Sequence, residues 1–331
     1  MRFPKLLQKG DTIGVCAPSS GVVADFGRAR MDNAHIKMRE LGYKSIETPS
    51  VRKKVGFVSA DAKTRALEFM SLYENPDVTA IIPPYGGEYL MEMLPYLDFT
   101  RLAELPPKWI SGYSDITGLT FPLTLCCDFA TIHGAQFADM GADTVDECDL
   151  VVFEAMSNNE LTQRSSDFYS DGKVVNEKTV WKSLDGKESH AFQGRMIGGC
   201  FNVLRILLGT RFAPVPDFLE KYKDDGFIWT LESNVPEMLE GDIYRTFWQM
   251  RECGWFKYCN GILFGRPNYD DTDSIDFNPR EALDILPAFL NIPIIYDTDI
   301  GHTSPRIQII NGAYCKVEYH DGKAVVTQQL I

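Results

Sequence analysis

The chain has 331 residues, 44% of them hydrophobic and 24% charged, and carries a formal net charge of −13. This length exceeds a usual single domain, so two are expected, and the balanced composition is that of a folded chain rather than a disordered one. The acidic surplus excludes nucleic acid and anionic membrane surfaces as main partners, because both require clustered Lys and Arg.

The short basic run Arg52-Lys53-Lys54 reads as a solvated loop. No window approaches about 18 uninterrupted apolar residues, and the first residues, with Pro4 and Lys9-Gly10-Asp11, lack the apolar core of a signal peptide. The eight cysteines are scattered without a CxxC pair, which reads as free thiols in a reducing compartment. Together these features point to the cytoplasm.

Along the chain, the apolar run Thr12 to Ala17 ends at Pro18-Ser19-Ser20 and precedes a helical stretch from about Arg28 to Leu41. A second helix follows from Asp61 to Tyr73, with apolar positions at Ala62, Leu67, Phe69, Met70 and Leu72, and Val78 to Ile82 then reads as a buried strand. Next come Tyr85-Gly86-Gly87, a helical stretch from Tyr89 to Leu97, the apolar Trp109-Ile110, and a helix opening near Asp115. Strands alternating with helices predict a doubly wound, mostly parallel sheet. From about 158 to 190 the sequence turns polar, with turn signals at Asp171-Gly172 and Asp185-Gly186, and is read as an interdomain connection between domains 1–157 and 191–331. The second half carries strand-like runs at 194–199, 227–232 and 261–265 and closes with a predicted hairpin across Asp321-Gly322.

Candidates for chemistry sit at the ends of these runs. Ser114, in Gly112-Tyr113-Ser114-Asp115, follows a strand and precedes a helix, where a nucleophile elbow would lift a hydroxyl above the sheet. The same place suits a plain helix cap. The helix start would aim unpaired N–H groups at an oxyanion, and Gly86-Gly87 could bring a second backbone donor close. As base for the serine, His302 in Asp299-Ile300-Gly301-His302 is preferred over His133, and His35, His190 and His320 read as surface residues. Glu232, which ends an apolar strand, is the candidate acid, ahead of Glu237 and Glu240 on a helix read as exposed. Asp270, Asp271, Asp273 and Asp276 form an acidic cluster without the glycine and terminal glutamate of a calcium loop, and H-E-x-x-H does not occur. No metal and no cofactor is therefore expected.

Several segments in order carry a family resemblance: Gly14-Val15-Cys16-Ala17-Pro18-Ser19-Ser20, Tyr85-Gly86-Gly87, Gly112-Tyr113-Ser114-Asp115-Ile116-Thr117, Gly198-Gly199 followed by Leu207-Leu208-Gly209-Thr210, Leu231-Glu232 and Gly301-His302. With these the chain resembles, over nearly its full length, the LD-carboxypeptidase family of serine peptidases, which includes muramoyl-tetrapeptide carboxypeptidases and microcin C self-immunity proteins. The resemblance implies an α/β fold with a Rossmann-like, mostly parallel N-terminal sheet covered by helices on both faces and a smaller β-rich C-terminal α/β domain. It implies Ser114 as nucleophile, Glu232 and His302 as its partners, and the amides of Gly87 and Asp115 as the oxyanion hole. It also implies a small peptide substrate, a murein tetrapeptide cleaved before its terminal D-alanine in cell-wall recycling, and a homodimer. The other branch implies aminoacyl or peptidyl nucleotides, for which Trp181, Trp229 and Trp248 offer stacking surface. A non-catalytic small-ligand binding module is the alternative of another class. Two departures bear on substrate preference: Cys200 follows Gly198-Gly199 where the family more often has Asn, and Ser233-Asn234-Val235-Pro236 follows Glu232 in place of a second acid.

Overall fold

A computed structural model describes residues 1–170, 176–234, 240–267 and 290–331. The acidic cluster at 270–276, the Asp171-Gly172 turn and Glu237 lie outside the described residues. The chain divides into two compact units, Met1–Asn159 and Glu160–Ile331.

The first unit begins with β1 (Thr12–Val15), α1 (Asp25–Glu40), β2 (Lys44–Glu47), α2 (Ala62–Glu74) and β3 (Val78–Ile81). It continues through α3 (Phe99–Glu104), β4 (Trp109–Ile110), α4 (Thr117–Cys127), β5 (Thr131–His133) and α5 (Glu147–Ser157). Four strands form a parallel sheet in the order β2-β1-β3-β4. β1 and β3 are apolar and buried, as strands covered on both faces must be. Asp61 starts α2 by accepting the Thr64 amide proton at 2.9 Å, satisfying one of the helix's unpaired donors. The stretch expected as a helix from Tyr89 to Leu97 is instead a 3-10 turn, Leu90–Tyr96, with Pro95 inside it. Proline supplies no N–H there and crowds the preceding turn, so a regular α-helix does not develop.

The second unit holds β6 (Glu160–Arg164), β7 (Phe168–Tyr169), β8 (Glu177–Lys178), β9 (Lys182–Ser183), β10 (Ser189–Cys200), α6 (Phe201–Leu207) and α7 (Val215–Lys221). After these come β11 (Phe227–Glu232), α8 (Glu240–Glu252), β12 (Cys259–Gly265), β13 (Ile294–Thr298), β14 (Ile309–Asn311), β15 (Tyr314–His320) and β16 (Lys323–Gln329). Its main sheet has eight strands in the order β6-β16-β15-β10-β11-β12-β13-β9. The centre, β10 to β13, is parallel, and the flanks are antiparallel. Asp321 and Gly322, both at positive φ, close the β15–β16 hairpin as the sequence predicted.

The segment 158–190, read from sequence as a connection, supplies both edge strands of this sheet, β6 and β9. Edge strands keep one side exposed to water, so they tolerate the polar composition that hid them. Beneath the sheet lies a core that includes Trp181, Met196, Ile228, Leu263, Ile295 and Val317.

Candidate active site

In the first unit, three adjacent parallel strands deliver three loops to one sheet edge. β1 leads into Pro18-Ser19-Ser20, β3 into Pro83 to Glu88, and β4 into Gly112-Tyr113-Ser114. The carboxyl ends of parallel strands are where α/β sheets gather their ligands. Ser114 stands at φ 59°, a left-handed conformation rare for serine, and opens a 3-10 turn, Ser114–Ile116, that runs into α4. Such a backbone costs on the order of 1–2 kcal/mol and persists only where its surroundings enforce it. Enforcement comes from Gln136, whose Nε2 donates to the Tyr113 carbonyl at 2.9 Å, and from the Gly112 amide, which donates to the Ile132 carbonyl at 3.1 Å.

The Gly86-Gly87 loop presses against this turn. A Cβ on Gly86 would lie 2.9 Å from the Ser114 Cβ and 3.2 Å from the Asp115 backbone nitrogen. A Cβ on Gly87, which sits at φ 155°, would come within 2.3 Å of Ser19 Oγ. Only glycine lets the backbone come this close to the serine.

Asp115 is 4% exposed and ties the loops together: Ser19 Oγ donates to its Oδ2 at 2.5 Å, and the Leu90 amide donates to the same oxygen at 2.9 Å. Burial raises the Asp115 carboxyl above its ordinary value, while the two hydrogen bonds pull the other way. Ser19 was quoted in the sequence only as part of a motif. Its partnership with Asp115 depends on β1 and β4 flanking β3, which no local pattern announces.

The second unit repeats the device with other residues. β10, β11, β12 and β13 lie side by side and end at Cys200, Glu232, Gly265 and the loop 299–303. Glu232 is fully buried, and His302 Nδ1 donates to its Oε2 at 2.7 Å. That bond fixes the tautomer that leaves Nε2 to take a proton. Gly301, at φ 103°, makes room for the pair, since a Cβ there would lie 2.5 Å from Glu232 Oε2.

The histidine loop is braced from below by an ion pair that the sequence reading missed. Arg266 donates to Asp299 Oδ1 at 2.9 Å, to Thr303 Oγ1 at 3.2 Å and to the Asp297 carbonyl at 3.1 Å. Its guanidinium also stacks 3.8 Å from the Tyr169 ring centroid. Asp299 Oδ2 accepts from Trp181 Nε1 at 3.0 Å and from the Ser166 amide at 2.8 Å. The two buried charges are thus paired with each other and with several further polar groups of the unit. The signal that singled out Glu232, a charged residue ending an apolar run, also marks Arg266 after Gly265 and Asp299 after the β13 run.

Ser114, Gly87 and Asp115 belong to the first unit, Glu232 and His302 to the second. Of the remaining histidines, His133 is buried with Nδ1 3.3 Å from Thr117 Oγ1, at the root of α4. His35 bridges Ser45 and Glu47, each at 2.6 Å, and His320 lies exposed against Ser189. His190, expected on the surface, has a largely buried side chain and bonds Ser183 and Asp185, because β10 lies inside the sheet. Trp181 and Trp229 are fully buried, the latter stacked on Trp255 at 5.4 Å, so neither is a ligand platform; Trp248 is 49% exposed. Burial of Trp181 and Trp229 follows the commoner fate of an indole, the core, and of the three tryptophans only Trp248 keeps an exposed face. Among the described residues no group of His, Cys, Asp and Glu has the spacing of a metal site, and no helix is long and apolar enough to cross a membrane.

The first unit thus holds a strained serine beside close-packed backbone, and the second an imidazole bonded to a fully buried carboxylate. Residues 13–134 match the LD-carboxypeptidase N-terminal domain and residues 193–317 the LD-carboxypeptidase C-terminal domain, so the chain belongs to the LD-carboxypeptidase family. It is 29% identical to a Vibrio cholerae protein that bears a carboxypeptidase name, over 93% of this chain and 92% of that one. It is 24% identical to the microcin self-immunity protein MccF of Escherichia coli, over 98% of this chain and 95% of that one. Its fold matches the crystal structure of an MccF-like protein from Bacillus anthracis with a TM-score of 0.84 at 24% identity, covering 99% of each chain.

Proposed function

We propose that the chain is a serine hydrolase of the LD-carboxypeptidase type, in which Ser114, Glu232 and His302 act as one triad on an amide bond. In this reading His302 Nε2 takes the Ser114 proton, and the alkoxide adds to the carbonyl carbon. The Gly87 and Asp115 amides hold the oxyanion, and Glu232 stabilises the imidazolium. His302 then returns the proton to the leaving amine, and a water molecule, activated by the same imidazole, releases the acyl group and restores the serine. A positioned base supplies about 10²–10⁴-fold and an oxyanion donor about 10²–10³-fold, so no metal or cofactor is needed for such a reaction. The observation that carries the reading is the buried 2.7 Å bond from His302 to Glu232, which gives a general base its acid.

The substrate proposed is a murein tetrapeptide, cut between meso-diaminopimelate and the terminal D-alanine, by a homodimer working in the cytoplasm. The eight free cysteines fit a reducing compartment. The reading requires the serine of one unit and the histidine of the other to meet on a single carbonyl, which labelling tests directly. A fluorophosphonate should modify Ser114 in the wild-type chain, and His302→Gln should slow the labelling by orders of magnitude. Incubation with the tetrapeptide should release D-alanine. Turnover of a sulfamoyl aminoacyl-adenosine with no release from the tetrapeptide would reassign the substrate to aminoacyl nucleotides. Binding of both without turnover would make the chain a receptor.

A further inference from the structure

The β register places Cys200 directly across from Glu232, at the ends of the neighbouring parallel strands β10 and β11. Cys200 is 2% exposed. Burial above all, and then the nearby Glu232 charge, push its pKa well above the ordinary thiol value, against the opposing pull of the Val203 and Asn202 backbone amides. The thiol therefore stays protonated, which makes it a donor and not a nucleophile. The sulfur lies 3.8 Å from the Asn202 amide oxygen, and the parallel register sets the Glu232 side chain beside it on the neighbouring strand. The carboxylate is the stronger acceptor because it is charged.

We propose that Cys200 is a positioning residue for the triad: its S–H shares the Glu232 carboxylate with the His302 N–H and so sets how much of that negative charge His302 feels. The inference rests on the triad reading for its catalytic consequence, but its physical content concerns only the second unit. A donor to the carboxylate disperses its charge, and the charge left over is what favours the imidazolium. Because S–H is a weak donor, this arrangement holds the carboxylate in place while leaving most of its charge for the histidine. Among the described residues, the nearby arginines are engaged elsewhere: Arg266 with Asp299, Arg205 with Asp242, and Arg306 at the Gly301 carbonyl.

The sign of the effect supplies the test. Removing the donor, in Cys200→Ala, should raise the His302 pKa. Installing a stronger one, in Cys200→Ser, should lower it, each by about half a pH unit. The measurement is the ¹⁵N NMR titration of the imidazole in the full chain, with the His302 signal assigned by its loss in His302→Gln. The acid limb of the kcat/KM profile on the tetrapeptide should move in the same two directions. A packing role alone would change stability in both variants and leave the His302 titration where it is. Shifts of the same sign in Ala and Ser, or none in either, would overturn the proposal. If the cavity in Cys200→Ala prevents folding, Cys200→Val fills the volume without a donor and takes its place. Opposite NMR shifts in a protein whose Ser114 resists fluorophosphonate would leave this inference standing and refute the triad, so the two failures are distinguishable.

Discussion

Glu232→Gln isolates the charge of the buried acid while keeping its size. Fully buried Glu232 accepts the His302 Nδ1 proton on its Oε2 at 2.7 Å. In the proposed triad His302 takes the serine proton, and its positive charge then forms about 4 Å from the carboxylate charge, an attraction of about 4 kcal/mol at an effective dielectric of 20. Losing it corresponds to roughly a thousandfold in rate, and a carboxamide can also turn its N–H toward Nδ1 and hold the wrong tautomer. The expected result is a kcat lowered by about 10³–10⁴ with KM within a factor of about two, since binding does not draw on this charge. The assay is D-alanine release from the tetrapeptide, with thermal melting run in parallel to show that the variant is folded. Glu318→Gln, at an exposed position on β15, is the control and should leave turnover unchanged. Turnover in Glu232→Gln within a factor of a few of the control would refute the assignment, and His302 would then need another acid.

Ser114→Gly should abolish hydrolysis and leave the protein at least as stable as wild type. It relieves about 1–2 kcal/mol of left-handed strain at φ 59° against a glycine entropy cost of about 0.5–1 kcal/mol, and chemical denaturation reads the difference. Gly301→Ala puts a methyl group 2.5 Å from Glu232 Oε2 at φ 103°, so kcat should fall steeply along with about 1–3 kcal/mol of stability, read by turnover and urea unfolding. Around Glu47, burial works to raise the carboxyl, but hydrogen bonds from His35 and Arg52 outweigh it and hold the pKa down at about 2. A depressed folded value stabilises the protein above the unfolded value of 4.5 and is lost as pH falls from there toward 2. Stability should therefore drop more steeply over that range in wild type than in Glu47→Gln, as measured by urea midpoints.

Local chemistry in the sequence determined much of this protein. The period of the apolar runs gave the alternating strands and helices of the first unit, Asp321-Gly322 gave the closing hairpin, and a glutamate ending an apolar strand stood out because a charge there needs a reason. Edge strands β6 and β9 stayed hidden because half of an edge strand faces water and reads as loop. Whether Trp181, Trp229 or Trp248 offered a stacking face could not be decided locally, because an aromatic residue looks alike in sequence whether it fills a core or faces a ligand; Trp181 and Trp229 fill the core.

Strand order was beyond any local pattern. Glu232 and His302 are 70 residues apart, and they meet because β11 and β13 flank β12 and end at the same edge. Ser19 reaches Asp115 across 96 residues because β1 and β4 flank β3, and Cys200 lies opposite Glu232 because β10 pairs with β11 in register. Hydrophobic periodicity specifies which face of a strand is buried, but a strand's neighbours are chosen by the packing of the whole sheet. The residues able to do chemistry were therefore visible one at a time in the chain, and the contacts that give them their roles exist only in the folded protein.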